Sequence, residues 1–253
     1  MTPVVLVVQH QELCPPGWVG EWLTAEGLRL DVRHPYAGDP LPDGLGEHDG
    51  LVVLGGQMGA NDDAAYPWLT PTKDLVRWGA AHTVPVLGIC LGHQLAAAAL
   101  GGEVVVNPTG ARRGVLEMSW SEAGTDPVVG SCGGSAVFWH RDVVTRLPEG
   151  TQVLARAPSG ELAAARFAPS VWGLQCHPEA RPDIVIGWAA KDRALAVADD
   201  AATDSETTAQ EVADVDRALA AVTGARAQLA DAWRPLATGF AERVRVYAGA
   251  AAR

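Results

Sequence analysis

The first half of the chain is punctuated by short apolar runs at 4–8, 50–54 and 84–87, each with the length and β-branched content of a buried strand. Residues 28–32 read as another strand. Between them lie helical stretches. Pro15-Pro16 opens one that runs through Glu26 and is closed by Gly27. A second spans about 70–82. A third, 94–100, is rich in Ala and Leu and is stopped by Gly101-Gly102. Segments 34–48 and 61–68 read as loops. This alternation predicts an α/β fold with a mostly parallel, doubly wound sheet, in which reactive groups gather at the carboxyl ends of the strands.

Beyond residue 103 the texture changes to β-like runs at 103–106, 115–120, 136–139, 153–157 and 162–167, separated by turn residues. They predict antiparallel strands inserted in or appended to the sheet. A last strand starts at Val171 and is expected to end in His177-Pro178-Glu179. Everything after Asp183 reads as helical. Leu229, Trp233, Leu236, Phe240, Val244 and Tyr247 recur at helical spacing and predict one docked apolar stripe, with Pro235 off the stripe and expected to kink it. The acidic stretch 199–216 reads as a solvated helix start or exposed loop. The expected organisation is one α/β domain over 1–182, with helices 183–253 docked on it.

Of the 253 residues 48% are hydrophobic, ample for a sizeable core. The formal net charge of −11 weighs against a nucleic-acid or anionic-membrane partner. Cys14, Cys90, Cys132 and Cys176 form no C-x-x-C pair, and the apolar start of the chain is too short and unflanked for a signal peptide or membrane span. Both point to a reduced, cytoplasmic setting.

The chemistry centres on Gly88-Ile89-Cys90-Leu91-Gly92, the pattern of a sharp strand-to-helix turn that presents a nucleophile. Side chains at Gly88 or Gly92 would crowd neighbouring backbone, and the helix N-terminus after the turn favours a thiolate at Cys90. A cysteine nucleophile needs a base, and the base needs an orienting group. His93 is carried away from the thiol by the helix. His140 reads as structural or as a peripheral wall. His177 is the better candidate, because a period of two puts Glu179 on its side of the strand, with Cys176 facing the other way as a small core residue. The glycines of Gly55-Gly56-Gln57-Met58-Gly59, at another strand's carboxyl end, suit backbone N–H groups for holding an anion.

Taken together, these motifs resemble the class I (triad-type) glutamine amidotransferase family, and within it the stand-alone members similar to the amidotransferase domain of GMP synthase. The likeness rests on residues 88–94 and 173–179, and extends to 54–59, to Tyr66-Pro67-Trp68-Leu69 and to Trp139-His140. It implies a flavodoxin-like sheet, with Cys90 as nucleophile, His177 as general base and acid, and Glu179 as its orienter. It also implies an oxyanion hole from the N–H groups of Leu91 and of Gly56 or Gln57 beside Gly55, and Gln94 holding the amino acid end of the substrate. No cofactor and no metal are implied. The substrate would be glutamine or another γ-glutamyl small molecule, with a separate synthase as ammonia acceptor. A stand-alone γ-glutamyl amide or peptide hydrolase, and a non-catalytic partner protein, are the competing readings. Three segments depart from the family pattern and, by the resemblance, flank the substrate pocket: 114–118, 163–167 and Cys176.

Overall fold

The computed structural model describes residues 2–121, 125–198 and 205–251. Five parallel strands form one side of an eight-stranded sheet: β1 (Val4–Val8), β2 (Arg29–Arg33), β3 (Gly50–Val53), β4 (Val86–Ile89) and β12 (Val171–Leu174). Antiparallel strands β11 (Leu162–Ala168), β10 (Gln152–Arg156) and β7 (Ser119–Trp120) continue it, giving the order β2-β1-β3-β4-β12-β11-β10-β7. Both faces are covered, because alternate side chains of one strand enter different cores. Val5 and Val7 pack with Val19 and Leu23 of α1 (Gly17–Ala25) and Leu236 and Phe240 of α6 (Arg226–Ala251). Leu6 and Val8 pack with Leu75 and Val76 of α2 (Leu69–Ala81) and Leu91 and Leu95 of α3 (Leu91–Ala99). The doubly wound expectation is met.

The later strands divide differently from the sequence expectation. Two antiparallel pairs stand as ladders of their own: β5 (Glu103–Val106) with β9 (Asp142–Arg146), and β6 (Arg112–Glu117) with β8 (Ser135–His140). The run expected as one strand over 115–120 is broken at Met118, whose N–H turns to Gly134 O, so its halves serve two sheets. Strand β9 was not expected at all; its two adjacent valines, Val143 and Val144, are its only strong strand signal.

The apolar stripe of α6 is buried from Leu229 to Val244, and Trp233 also donates Nε1–H to Ser135 O at 2.8 Å. The helix runs through Pro235 without interruption. Helices α4 (Pro182–Ala198) and α5 (Ser205–Gly224) fill a third apolar cluster in which Trp188, Ile184 and Val222 meet Trp18, Cys14 and Val137. The acidic stretch expected as solvated lies partly outside the described residues, and from Ser205 onward it belongs to α5.

The sheet is locked to its helix layer at the β4–α3 turn. A Cβ at Gly92 would collide with the Val53 carbonyl of the neighbouring strand, and one at Gly88 would collide with the carbonyl of Gly92. Backbone, not a flexible side chain, would have to move. Gly92→Ala is therefore expected to destabilise the protein by about 3 kcal/mol or more, read from the urea unfolding midpoint. Gly46→Ala, where nothing lies within 4 Å of the added carbon, should stay within about 0.5 kcal/mol of wild type.

Candidate active site

Parallel pairing aligns three strand ends. In register, Val53 of β3 faces Gly88 of β4, which faces Gly173 of β12, and Cys90 N–H donates to Leu174 O at 2.7 Å. The residues that follow each strand therefore meet above the same edge of the sheet. Cys90 itself sits at φ 50, ψ −103, a left-handed backbone that a side-chain-bearing residue adopts only under constraint. It caps α3, which starts at Leu91. The helix therefore aims its unpaired N-terminal N–H groups at the thiol.

His177 and Glu179 meet, but not on a strand. Strand β12 stops at Leu174, and the pair lies in the turn beyond it, so the period-two argument reached the contact by a route the chain does not take. The turn is pinned instead by its surroundings. His177 N–H donates to Val137 O at 2.8 Å, and Trp18 N–H donates to Glu179 O at 3.1 Å. Gly17, at φ +46, lets α1 approach so closely that any Cβ there would strike that same carbonyl. Within this frame His177 Nδ1 lies 2.7 Å from Glu179 Oε1, and Nε2 lies 3.2 Å from Trp139 O. Both partners are acceptors, so each ring nitrogen donates. Burial opposes a charge on the ring, but the Glu179 carboxylate and the Cys90 sulfur, each accepting from the ring, outweigh it. They hold the imidazole pKa well above its usual value. Cys176 is fully buried in the core, the small core residue expected of it, but it is placed there by the turn and not by strand alternation.

The glycine loop after β3 closes the group. A Cβ at Gly55 would lie 3.3 Å from His177 Cε1 and 3.7 Å from Cys90 Cβ, so this glycine is the floor between the two. Gly56 abuts Leu91, whose Cδ2 would lie 2.8 Å from a Cβ there. Gln57 is turned outward, and its N–H donates to Gln11 Oε1 at 3.3 Å. Gln94 lines the same cleft, with Nε2 donating to Asp142 O at 3.0 Å and to Gln175 Oε1 at 3.3 Å.

The family profile described as glutamine amidotransferase class-I matches residues 27–184, more than half of the chain. The chain belongs to the class-I glutamine amidotransferase family. Among curated relatives, the glutamine amidotransferase-like protein YfeJ of Salmonella typhimurium is 28% identical over 71% of this chain and 77% of its own length. The glutamine-hydrolyzing GMP synthase subunit of Methanosarcina barkeri is 33% identical over 60% of this chain and 76% of its own. A glutamine amidotransferase structure from Thermotoga maritima superposes with a TM-score of 0.78 at 22% identity, covering 96% of this chain and 99% of that one, which shows a shared fold.

The cleft at Cys90 holds about 410 Å³ and is lined by residues beyond the sequence motifs. Its walls include Trp188, Lys191, Asp192 and Leu195 of α4, and Gln11, Leu13 and Cys14 of the loop after β1. The sequence motifs do not include any of these residues, because only the packing of α4 and of the loop after β1 turns them toward Cys90. His140 does line the cleft; burial lowers its pKa to about 4, and its Nδ1 lies 3.1 Å from Asp142 O. His93 is buried against Gly173 and Phe167, where burial lowers its pKa to about 3. The three departing segments do not flank the cleft. Residues 163–167 belong to β11 in the sheet, 114–118 belong to β6 and its end, and Cys176 is core; Ala111 and Arg113, just before the second, reach the wall. Among the described residues no group of three or more His, Cys, Asp or Glu converges to hold a metal. No described helix is long and apolar enough to cross a membrane.

The four thiols differ in setting. Burial pushes Cys14 and Cys132 up to about 12, and Cys176 well above the usual thiol value. Cys132 is nevertheless more exposed than Cys90. Iodoacetamide at pH 7, read by peptide mass spectrometry, should modify Cys90 and leave Cys132 free. Faster modification of Cys132 would show that exposure, not electrostatics, sets thiol reactivity here.

Proposed function

We propose that the protein hydrolyses the side-chain amide of glutamine through a γ-glutamyl thioester on Cys90 and delivers ammonia to an acceptor outside this chain. The observation that carries the reading is the buried 2.7 Å pair of His177 and Glu179 beside Cys90 at the head of α3. The Cys90 thiolate attacks the amide carbon, and the resulting oxyanion accepts from the N–H groups of Leu91 and Gly56. Gly56 is the better second donor, since the Gln57 N–H is already turned to Gln11. Each such donor contributes on the order of 3 kcal/mol in the transition state. His177 passes its proton to the departing nitrogen, then takes one from the water that attacks the thioester, and the γ-carboxylate leaves as Cys90 is restored. Glu179 holds the ring and balances its charge throughout. Gln94 supports the amino acid end of the substrate.

On this reading residues 1–182 are the amidotransferase unit and 183–253 its docked helical extension, working in the cytoplasm. The acceptor is proposed to be a synthase on another chain, by analogy with the Methanosarcina relative, whose name marks it as one subunit of GMP synthase. The breadth of the cleft favours a second reading, in which the same Cys90 chemistry acts on larger γ-glutamyl amides.

Replacement of the three groups separates their roles. Cys90→Ala should lower kcat for ammonia release by about 10⁴-fold or more, with normal circular dichroism. Glu179→Gln should reduce it less than His177→Ala, because the imidazole remains, though poorly oriented. Equal loss in the two would mean that Glu179 does more than orient and balance the ring. In Glu179→Gln the NMR titration of the His177 ring should also move to lower pH, since burial then acts with its main counter-charge removed. An unmoved titration would rule out Glu179 as the source of the raised value.

A further inference from the structure

Four residues of α4 reach the cleft, Trp188, Lys191, Asp192 and Leu195. Their spacing of three, four and seven places them on one face of the helix. We propose that this face, with Leu13, is a second subsite that takes the amine half of γ-glutamyl amides. It would select amines with an apolar body and a terminal carboxylate, as in a γ-glutamyl dipeptide. The inference rests on the Cys90 thioester reading and adds a further substrate class to it.

Polarity comes first. The leaving nitrogen must take its proton from His177, so whatever the nitrogen carries lies on the His177 side of the cleft. That side is walled by Trp188, whose ring is 4.6 Å from the imidazole, and by Trp139, 6.2 Å from Trp188. The wall is built rather than incidental. Trp188 donates Nε1–H to Leu13 O at 2.6 Å, Trp139 donates Nε1–H to Asp192 at 3.1 Å, and Arg113 pairs with the same Asp192 oxygen at 2.6 Å. Ammonia needs only a path out, and rigid indoles with flanking leucines serve no purpose for it.

Charge and exposure then define the ligand. Arg113 neutralises Asp192, whereas Lys191 has no ion pair among the described residues and sits half-buried on the same face. An uncompensated ammonium inside a cleft is suited to a carboxylate. Leu13 and Leu195, 39% and 50% exposed, flank it and would bury against an apolar amine. The other acidic groups of the cleft are elsewhere. The Asp62 and Asp142 carboxylates both lie within 3.3 Å of the position a Cβ would take at Gly59, on the loop after β3. There they suit the α-ammonium of the glutamyl end, beside Gln94.

The test compares kcat/KM of the purified full chain for γ-glutamyl-phenylalanine and for the same compound with its terminal carboxylate converted to carboxamide. Wild type should prefer the free acid by about tenfold, the size of one charge-assisted hydrogen bond. Lys191→Ala should abolish that preference and Lys191→Arg should keep it. Equal rates for acid and carboxamide, or hydrolysis of glutamine alone, would overturn the subsite. A diazoketone analogue of glutamine is applied to the same preparation. Labelling of Cys90 in that case leaves the thioester reading standing and refutes only the subsite. No turnover of any γ-glutamyl compound together with an unlabelled Cys90 would overturn both.

Discussion

The structure depends on how closely the β4–α3 turn is packed against its neighbours. Gly92 lies where any side chain would strike the Val53 carbonyl, and Gly88 lies against the carbonyl of Gly92. With both flanks this tight, Cys90 is forced into a left-handed backbone and its thiol is lifted to the helix N-terminus. Parallel pairing of β3, β4 and β12 then carries the Gly55 loop and the His177 turn to the same edge. A looser turn would fold the same sheet, but it would not hold the thiol between the glycine loop and the imidazole.

The second requirement is the buried charge on His177. An ionised ring out of water is costly unless it is paired and hydrogen-bonded. Glu179 supplies the pairing, but its own side chain is equally buried, so the two must be held from outside. Strand β8 does this through Val137, α1 through Trp18 and the bare backbone of Gly17, and α4 through the Trp188 ring. Elements from both ends of the chain thus fix one turn, and α4 is part of the cleft wall rather than an appendage to it.

Much of this was legible in the residues. The apolar runs located the parallel strands, because a strand buried on both faces must be apolar throughout. The stripe from Leu229 to Val244 located a docked helix. The glycines around Cys90, and His177 with Glu179, marked groups that the fold brings to one edge of the sheet. Local pattern failed where it had no contrast to read. The sequence carries the strand on to Glu179 because nothing in Gln175-Cys176 signals a turn; the strand ends at Leu174 because β8 and α1 capture the backbone beyond it. Strand β9 was passed over because Val143-Val144 is too short a run to be a strand without β5 beside it.

By itself, then, the sequence determined the parallel sheet, the strained cysteine turn and the identity of the histidine and its carboxylate. Each of these leaves a local mark in the chain: glycines either side of the cysteine, apolar runs, and a histidine two residues before a carboxylate. Only the tertiary structure decided what surrounds them. It placed Gln11 on the Gln57 N–H, removed 114–118 and 163–167 from the pocket wall, and laid Trp188, Lys191 and Leu195 of α4 along the cleft. Those contacts join residues up to some hundred positions apart or more. They are selected by how apolar faces and buried charges find partners in three dimensions, and that choice leaves no local trace in the chain.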